Sequence, residues 1–366
     1  MALRGIEGFE IYGKTEDIGA RSGFIQWRYV GQYVGLAVGK GRGGGNALGI
    51  VPLAGDRGAQ ISFGAQMQVG FMGFAVKLLS DSYGAGSMVF TAHDTTQPST
   101  FTQFTLRFNG VDGSITYPGG RTANNILVAN TWTHVQIGWR CARDGTGRLQ
   151  IKINDVLVLN VAADLMNPGS TLQNIPPSSN AFVNGVGFAS EDNLYGLMID
   201  DIWVCDGVAG PGSLPCNTFL GDSKIIGLIP NGNAVTQWTP GGEAAVGQNW
   251  QELTTTDGDA TYNATGTVGA EDLFTLTALP DNVIQVIAVQ VAGSYKKVDA
   301  SKHTITQRLN SGGTEAVGIP PLGEYSLSTD YQTYTDLFAV DPRTNASWTV
   351  PALAPGVIKI GYALES

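Results

Sequence analysis

Apolar and polar residues alternate along most of this chain, in short segments that end at Gly, Asn, Asp or Pro. A period of two is typical of strands that bury one face. It predicts strands at residues 24–30, 101–108, 132–139, 149–154, 194–205, 284–291 and 357–363. Helical spacing is confined to residues 162–166 and 272–279. The sequence therefore predicts an all-β protein.

The longest uncharged segment, residues 59–76, shows the same alternation. It contains Gln60, Gln66 and Gln68, which a membrane-spanning helix does not readily tolerate. The segment predicts a half-buried strand, and no membrane insertion is expected. Further along, Asn154 and Asp155 separate two alternating runs, which predicts a β-hairpin with its turn at these residues.

A Gly- and Pro-rich connector, residues 206–215, separates two strongly alternating regions. It predicts a boundary between a domain at residues 1–210, the size of a large β-sandwich, and a smaller β-rich domain at residues 211–366.

Charged residues make up only 14% of the chain, below the roughly 25% that is usual for soluble domains. The 21 Lys and Arg against 31 Asp and Glu give a net charge of −10, which disfavours nucleic acid and anionic membranes as partners. A surface poor in charge is typical of contacts between protein copies.

The three cysteines are too few for a disulfide framework, although a Cys205–Cys216 pair stays open. With no export signal at the N-terminus, synthesis in a cytosol is expected.

Two segments of the N-terminal part, residues 130–137 (NTWTHVQI) and 147–158 (GRLQIKINDVLV), resemble the laminin-G or concanavalin A-like jelly roll. Residues 199–204 (IDDIWV) resemble its closing strand. The resemblance covers residues 23–206 and implies a concanavalin A-like jelly-roll sandwich followed by the smaller β-rich domain. The hairpin corner departs from the family pattern because it lacks the usual glycine.

A second resemblance is to structural proteins of tailed bacteriophages, in the runs at residues 199–207, 219–222, 229–233 and 346–350. It implies a virion component made in the host cytoplasm, surface-displayed and tail- or fibre-associated, that assembles as symmetric copies with other virion proteins. A capsid decoration protein and a carbohydrate-binding module for a host surface glycan are the alternatives.

No carboxylate pair suited to glycoside hydrolysis is visible in the sequence. Asp200 and Asp201 are adjacent on a predicted strand, so their side chains are expected on opposite faces. Hydrolysis of a glycosidic bond needs two carboxyl groups across that bond. The Glu-x-Asp-x-Glu triplet of concanavalin A-like glucanases is also missing. The chain is therefore predicted not to be an enzyme, with no catalytic residue.

Two sets of residues are candidates for binding. The oxygen-rich side chains that would suit calcium are Glu191, Asp192, Asn193, Asp200 and Asp201, although they match no ordered calcium loop, and no other cofactor is expected. The aromatic residues that would stack on sugars if exposed are Trp27, Tyr29, Trp238 and Trp250, with a place in the core as the alternative. His134 is expected on the polar face of its strand, in a hydrogen bond.

Overall fold

The computed structural model describes residues 3–12, 18, 25–51, 58–81, 84–94, 101–142, 144–162, 181–191, 195–207, 218–254, 257–318 and 325–366. These residues form strands and two short 3-10 helices, Gln251–Leu253 and Val350–Leu353. The prediction of an all-β protein is confirmed. In the same ranges no helix has the length and apolar character needed to cross a membrane.

The chain divides into two compact units. The first comprises Met1–Glu10, Phe24–Pro211 and Pro215–Ile225, and the second comprises Ile11–Gly23, Gly212–Leu214 and Ile226–Ser366. The predicted boundary at residue 210 falls within residues 208–217, which lie outside the described ranges.

The first unit contains strands β1 to β17. They are β1 (Leu3–Glu7), β2 (Ile25–Val30), β3 (Val34–Ala37), β4 (Ala47–Ile50), β5 (Gly58–Met67), β6 (Val69–Leu78), β7 (Ser80–Asp81), β8 (Gly84–Ala85), β9 (Met88–Asp94), β10 (Phe101–Phe108), β11 (Ile115–Tyr117), β12 (Gly120–Arg121), β13 (Thr133–Arg140), β14 (Arg148–Ile153), β15 (Val156–Ala162), β16 (Val183–Ser190) and β17 (Leu197–Cys205).

Two large antiparallel sheets make up this unit as a jelly-roll sandwich. The first has the order β15-β14-β13-β6-β17-β4-β3, with β1 also paired to β17, and the second has the order β12-β11-β10-β9-β16-β5-β2. Their inner faces meet at an aromatic core: the ring of Phe74 in the first sheet lies 5.9 Å from that of Phe90 and 5.2 Å from that of Phe188 in the second. The fold predicted from the sequence is confirmed for this unit.

Residues 59–76 form two strands rather than one. β5 ends at Met67 and β6 begins at Val69, and the two belong to different sheets. The alternation does follow burial, since Ile61 and Phe63 are buried between half-exposed polar neighbours. A period of two persists through a one-residue break, so the sequence pattern does not show where the chain changes sheet.

The predicted hairpin joins β14 to β15, which pair in antiparallel register. Its turn residues Asn154 and Asp155 have φ angles of 46° and 66°. Positive φ at both central positions is typical of a type I′ turn, and Asn and Asp adopt it more readily than other non-glycine residues. The missing glycine therefore leaves the hairpin intact.

Residues 219–225, called the strap below, lie across the outer face of the first sheet. The backbone N–H of Gly221 donates to Oε1 of Gln136 at 2.9 Å, and that of Ile225 donates to Oδ1 of Asp201 at 2.8 Å. The ring of Phe219 lies edge-on to Phe71 at 5.2 Å. This part of the first sheet is consequently covered on both faces.

The second unit contains strands β18 to β27. They are β18 (Pro230–Val235), β19 (Thr239–Gly241), β20 (Tyr262–Ala264), β21 (Glu271–Leu276), β22 (Val289–Tyr295), β23 (Thr304–Ser311), β24 (Thr314–Val317), β25 (Tyr325–Ser326), β26 (Gln332–Phe338) and β27 (Ile358–Leu364). Its main sheet has the order β18-β21-β27-β23-β24, with β25 also paired to β23, and β22 pairs with β26 separately.

Two sequence patterns differ from the structure in the second unit. Residues 272–279 have helical spacing, but β21 spans Glu271–Leu276 because Leu273 and Phe274 bury themselves against other strands. The strand expected at residues 284–291 begins only at Val289, and Ile284 is 95% exposed. Short apolar runs do not distinguish strand from helix by periodicity alone.

Candidate functional site

Two glycines on β16 leave a strip without side chains on the outer face of the second sheet. Val186 and Phe188 point into the sandwich and are buried, so Gly185 and Gly187 lie on the opposite face. β16 is central in the sheet, between β5 and β9. Glycine inside a strand weakens it and often marks a close approach of a ligand or another backbone.

Polar side chains flank this strip of glycines on both sides. Gly187 pairs with Gln60 of β5 and with Thr91 of β9, and Gly185 pairs with Ser62 and His93 in the next row. We call the surface formed by these side chains and the two glycines the glycine groove. It contains a cavity of about 140 Å³ whose lining includes Gln60, Thr91 and Gly187.

Gly187 cannot be replaced by a larger residue without a shift in the groove. A Cβ at this position would lie 2.7 Å from Oγ1 of Thr91 and 3.0 Å from Nε2 of His93. The absence of a side chain at Gly187 therefore leaves room for the Thr91 hydroxyl, which lines the cavity, and for the imidazole of His93, which is 6% exposed.

His93 is the titratable group of the groove. Its Nε2 lies 2.6 Å from Oγ1 of Thr91, whereas its Nδ1 has no hydrogen-bond partner among the described residues. Burial, together with the charge of Arg28, lowers the pKa of His93 to about 4. The imidazole is neutral at physiological pH and its Nδ1 is buried, so Thr91, which lines the cavity, is the group that connects His93 to the groove.

Arg28 supplies positive charge beside His93. It is exposed on β2 and makes no ion pair with a described carboxylate, in contrast to Arg107, which is paired with Glu191. A cation near His93 that has no ion-paired carboxylate among the described residues favours an anionic ligand.

The four aromatic residues predicted to bind sugars occupy different environments. Trp27 is 6% exposed in the core of the first unit, where its indole N–H donates to Glu7 at 3.4 Å, so it has the alternative environment and is not placed to stack on a sugar. Tyr29 is on β2, and its side chain lies outside what the structure describes. Trp238 and Trp250 are half-buried against one aromatic cluster of the second unit. None of the described three lines the glycine groove.

The five residues predicted to form a calcium cluster are not brought together. Glu191 follows β16 in the second sheet and is paired with Arg107, whereas Asp200 and Asp201 lie on β17 in the first sheet. Asp192 and Asn193 lie outside the described residues. Over the described ranges, no group of three or more His, Cys, Asp or Glu side chains is arranged to hold a metal ion.

Asp200 and Asp201 do not point to opposite faces as expected. The register of β17 shifts between Asp200 and Trp203, and Asp201 has a φ of 53°, so a bulge turns both carboxylates towards Arg42. The backbone N–H of Arg42 donates to Oδ2 of Asp200 at 2.7 Å, and its guanidinium lies 3.5 Å from Oδ2 of Asp201.

Glu10 lies beside this pair of aspartates. Burial and the nearby charge of Asp200 raise the pKa of Glu10 to about 8, and burial together with Asp201 raises that of Asp200 to about 7. Arg42 is the cation that compensates them, and it also contacts Asp222 of the strap. The cluster is thus an internal polar contact of the first unit, in which the carboxylates outnumber the arginine that compensates them.

His134 is fully buried on β13, and neither ring nitrogen has a hydrogen-bond partner among the described residues. Its Nδ1 lies 3.8 Å from a carboxylate oxygen of Asp222, and burial lowers its pKa. The expected hydrogen bond of this histidine is therefore absent there.

Sequence reasoning missed the glycine groove, although a signal for it exists. Residues 183–188 (VNGVGF) alternate two glycines with buried apolar residues, so one face of a strong strand has no side chains. That pattern indicates a close approach on the glycine face. It does not reveal that Gln60 and Thr91 are the neighbours, since these come from other strands.

Comparisons with known proteins give no match to a family model or to a curated protein. Among solved structures, the chain is similar to an endo-β-1,4-glucuronan lyase from the fungus Trichoderma reesei, at 16% identity and a TM-score of 0.35, over 55% of this chain and 95% of that one. The Emp46p carbohydrate recognition domain matches at 8% identity and 0.34, over 56% and 100%. A carbohydrate esterase, vb_24B_21 from the Shiga toxin-encoding bacteriophage phi24B, matches at 13% identity and 0.34, over 49% and 89%.

The prediction that the chain is not an enzyme is corrected by these comparisons, because the similar structures include a polysaccharide lyase and a carbohydrate esterase. The prediction rested on the lack of the two carboxyl groups that glycoside hydrolysis needs. Other reactions use a single proton acceptor such as histidine, so a missing carboxylate triplet does not exclude an enzyme.

Proposed function

We propose that the first unit binds an acidic polysaccharide in the glycine groove. The observation that carries this proposal is the position of Gly187 between Gln60 and Thr91, which places hydrogen-bonding groups on both sides of a strip of backbone that has no side chains. A chain of sugar hydroxyls needs such donors and acceptors in a concave site. Arg28 near His93 favours a ligand that carries carboxylate or sulfate groups.

Catalysis in the same groove is a second candidate function, and His93 favours it. Its imidazole is neutral at pH 7, and its Nε2 lies 2.6 Å from Oγ1 of Thr91, a side chain that lines the cavity. A neutral imidazole can accept the proton of that hydroxyl. Binding then places the sugar chain beside the Thr91 hydroxyl.

Arg28→Gln is expected to weaken the binding of a polyuronate about tenfold, or about 1.4 kcal/mol, because a charge-assisted hydrogen bond is lost. Binding of a neutral polysaccharide of equal length should change little. Gly187→Ala is expected to weaken both, because the added methyl pushes against Thr91 and His93. Isothermal titration calorimetry measures both affinities. The control is Arg140→Gln, an exposed arginine that ends β13 in the first sheet.

Unchanged affinity in Gly187→Ala would reject the groove as the binding site, and equal losses for both polysaccharides in Arg28→Gln would reject the preference for acidic chains. Size-exclusion chromatography of the polysaccharide after incubation tests catalysis. Shortening by the unmodified chain but not by His93→Asn supports it, and no shortening rejects cleavage of the polysaccharides used.

We also propose that the chain is carried on a bacteriophage particle, as symmetric copies beside other virion proteins. A tail- or fibre-associated place and a capsid decoration role are both compatible with attachment to a host surface glycan through the groove. The support is the resemblance of residues 199–207 and 346–350 to phage structural proteins and the 14% share of charged residues. Mass spectrometry and electron microscopy of purified particles test this, and absence of the chain from particles would reject it.

A further inference from the structure

Strand β15 ends the first sheet on one side. It pairs with β14, and in the part of the chain that the structure describes no strand pairs with its other edge. The backbone N–H and C=O groups along such an edge are available to another strand. Natural proteins usually protect an exposed edge with charged residues, with proline or with a covering segment.

The edge of β15 has little of this protection. Its sequence, VLVLNVA, contains no charged residue and no proline. Val156 is 65% exposed and Leu157 is 48% exposed, so apolar surface lies beside the open backbone groups. The register with β14 shifts by one residue at Val158, and the strand continues in regular register from Leu159 to Ala162. An edge of this kind favours pairing with another strand.

Charge identifies a second copy of this chain as the occupant. Each copy has a net charge of −10, so two copies meet with least repulsion along a neutral strand. The two ends of β15 differ in the sign of the nearby charge: Asp155, whose carboxylate accepts from Gln136 and from the strap, precedes its first residue, and Arg148 of β14 pairs with its last residue, Ala162. Antiparallel pairing brings the Asp155 end of one copy to the Arg148 end of the other, whereas parallel pairing would bring like charges together.

We propose that two copies of this chain pair through β15, edge to edge and antiparallel, so that their first sheets form one continuous sheet across a two-fold axis. The contact is self-complementary, as a two-fold interface requires. It uses the edge of the first sheet at β15 and no residue of the glycine groove. The test of the dimer is therefore independent of the test of glycan binding.

The test is the mass of the full chain in solution. Multi-angle light scattering after size exclusion is expected to give a dimer for the unmodified chain and a monomer for the double variant Leu157→Lys/Val161→Lys. Val38→Lys and Val111→Lys, which change exposed apolar residues outside any β15 contact, are the controls and should stay dimeric. Circular dichroism confirms that each variant is folded. A monomeric unmodified chain, or a dimeric double variant, overturns the proposal.

A second variant tests the orientation of the two strands. Arg148→Glu reverses the charge on β14 at the end of the sheet where the Asp155 end of the second copy lies in the antiparallel arrangement, and is expected to raise the dimer dissociation constant about twofold at low salt. Sedimentation at two salt concentrations measures it. No change in the dissociation constant would overturn the antiparallel arrangement.

Discussion

Phe74→Ala is expected to lower the free energy of unfolding of the first unit by about 3–5 kcal/mol, the largest stability effect of any change considered. Phe74 is fully buried where the two sheets meet, and its ring contacts those of Phe90, Phe108 and Phe188 at centroid distances of 5.2–6.2 Å. Removing it leaves a cavity that the three strands carrying these rings, β9, β10 and β16, cannot close, because each is fixed in its ladder. Urea unfolding followed by tryptophan fluorescence measures the loss.

Two variants calibrate this result. Phe74→Leu retains most of the volume and should lose less than half as much stability, since the loss grows with the cavity that remains. Val111→Ala changes a side chain that is 76% exposed and should leave the midpoint unchanged. A loss below about 1 kcal/mol for Phe74→Ala would show that the two sheets do not pack through this residue.

Glu10→Gln is expected to stabilise the first unit at pH 8 and to have little effect at pH 4.5. The folded pKa of Glu10 is about 8, above its ordinary value of 4.5, so the folded state retains a proton that the unfolded chain releases. The unmodified chain therefore loses stability as pH rises from about 4.5 to about 8. Asp200, with a folded pKa of about 7, contributes in the same direction.

The expected gain for Glu10→Gln at pH 8 is about 1–3 kcal/mol, less than the full pKa shift implies, because Glu10 is partly exposed. Thermal unfolding at several pH values between 4 and 9 measures the difference between the two chains. Glu243→Gln, an exposed glutamate of the second unit, is the matched control. If the two stability curves ran parallel over this range, Glu10 would have an ordinary pKa.

Much of the fold could be predicted from the sequence because burial alternates with period two in an antiparallel sandwich. Residues 101–108 coincide with β10, and the predicted turn at Asn154 and Asp155 is present. The prediction failed where the pattern was short or interrupted. The helical spacing at residues 272–279 coincides with strand β21, since a short apolar run does not distinguish the two. Residues 59–76 were taken for one strand, because the alternation contains no information about which sheet a strand joins.

The candidate site could not be predicted in the same way. His93, Gly187 and Gln60 are neighbours only through the register of β16 with β9 and β5, and no local pattern in the sequence sets that register. The predicted orientation of Asp200 and Asp201 on opposite faces was wrong for a related reason. A bulge on β17 turned Asp200 and Asp201 to the same arginine, and a bulge is invisible to an argument from alternation.

The strap has a practical consequence for anyone who wishes to study the jelly roll alone. A fragment that stopped at residue 210 would lack Phe219, Gly221 and Ile225, and would uncover Phe71, the amide of Gln136 and the carboxylate of Asp201. Such a truncated chain would expose apolar surface of the first sheet to water and would remove the backbone hydrogen bond that Asp201 accepts from Ile225. A fragment that ends after residue 225 retains the strap, which covers the outer face of the first sheet.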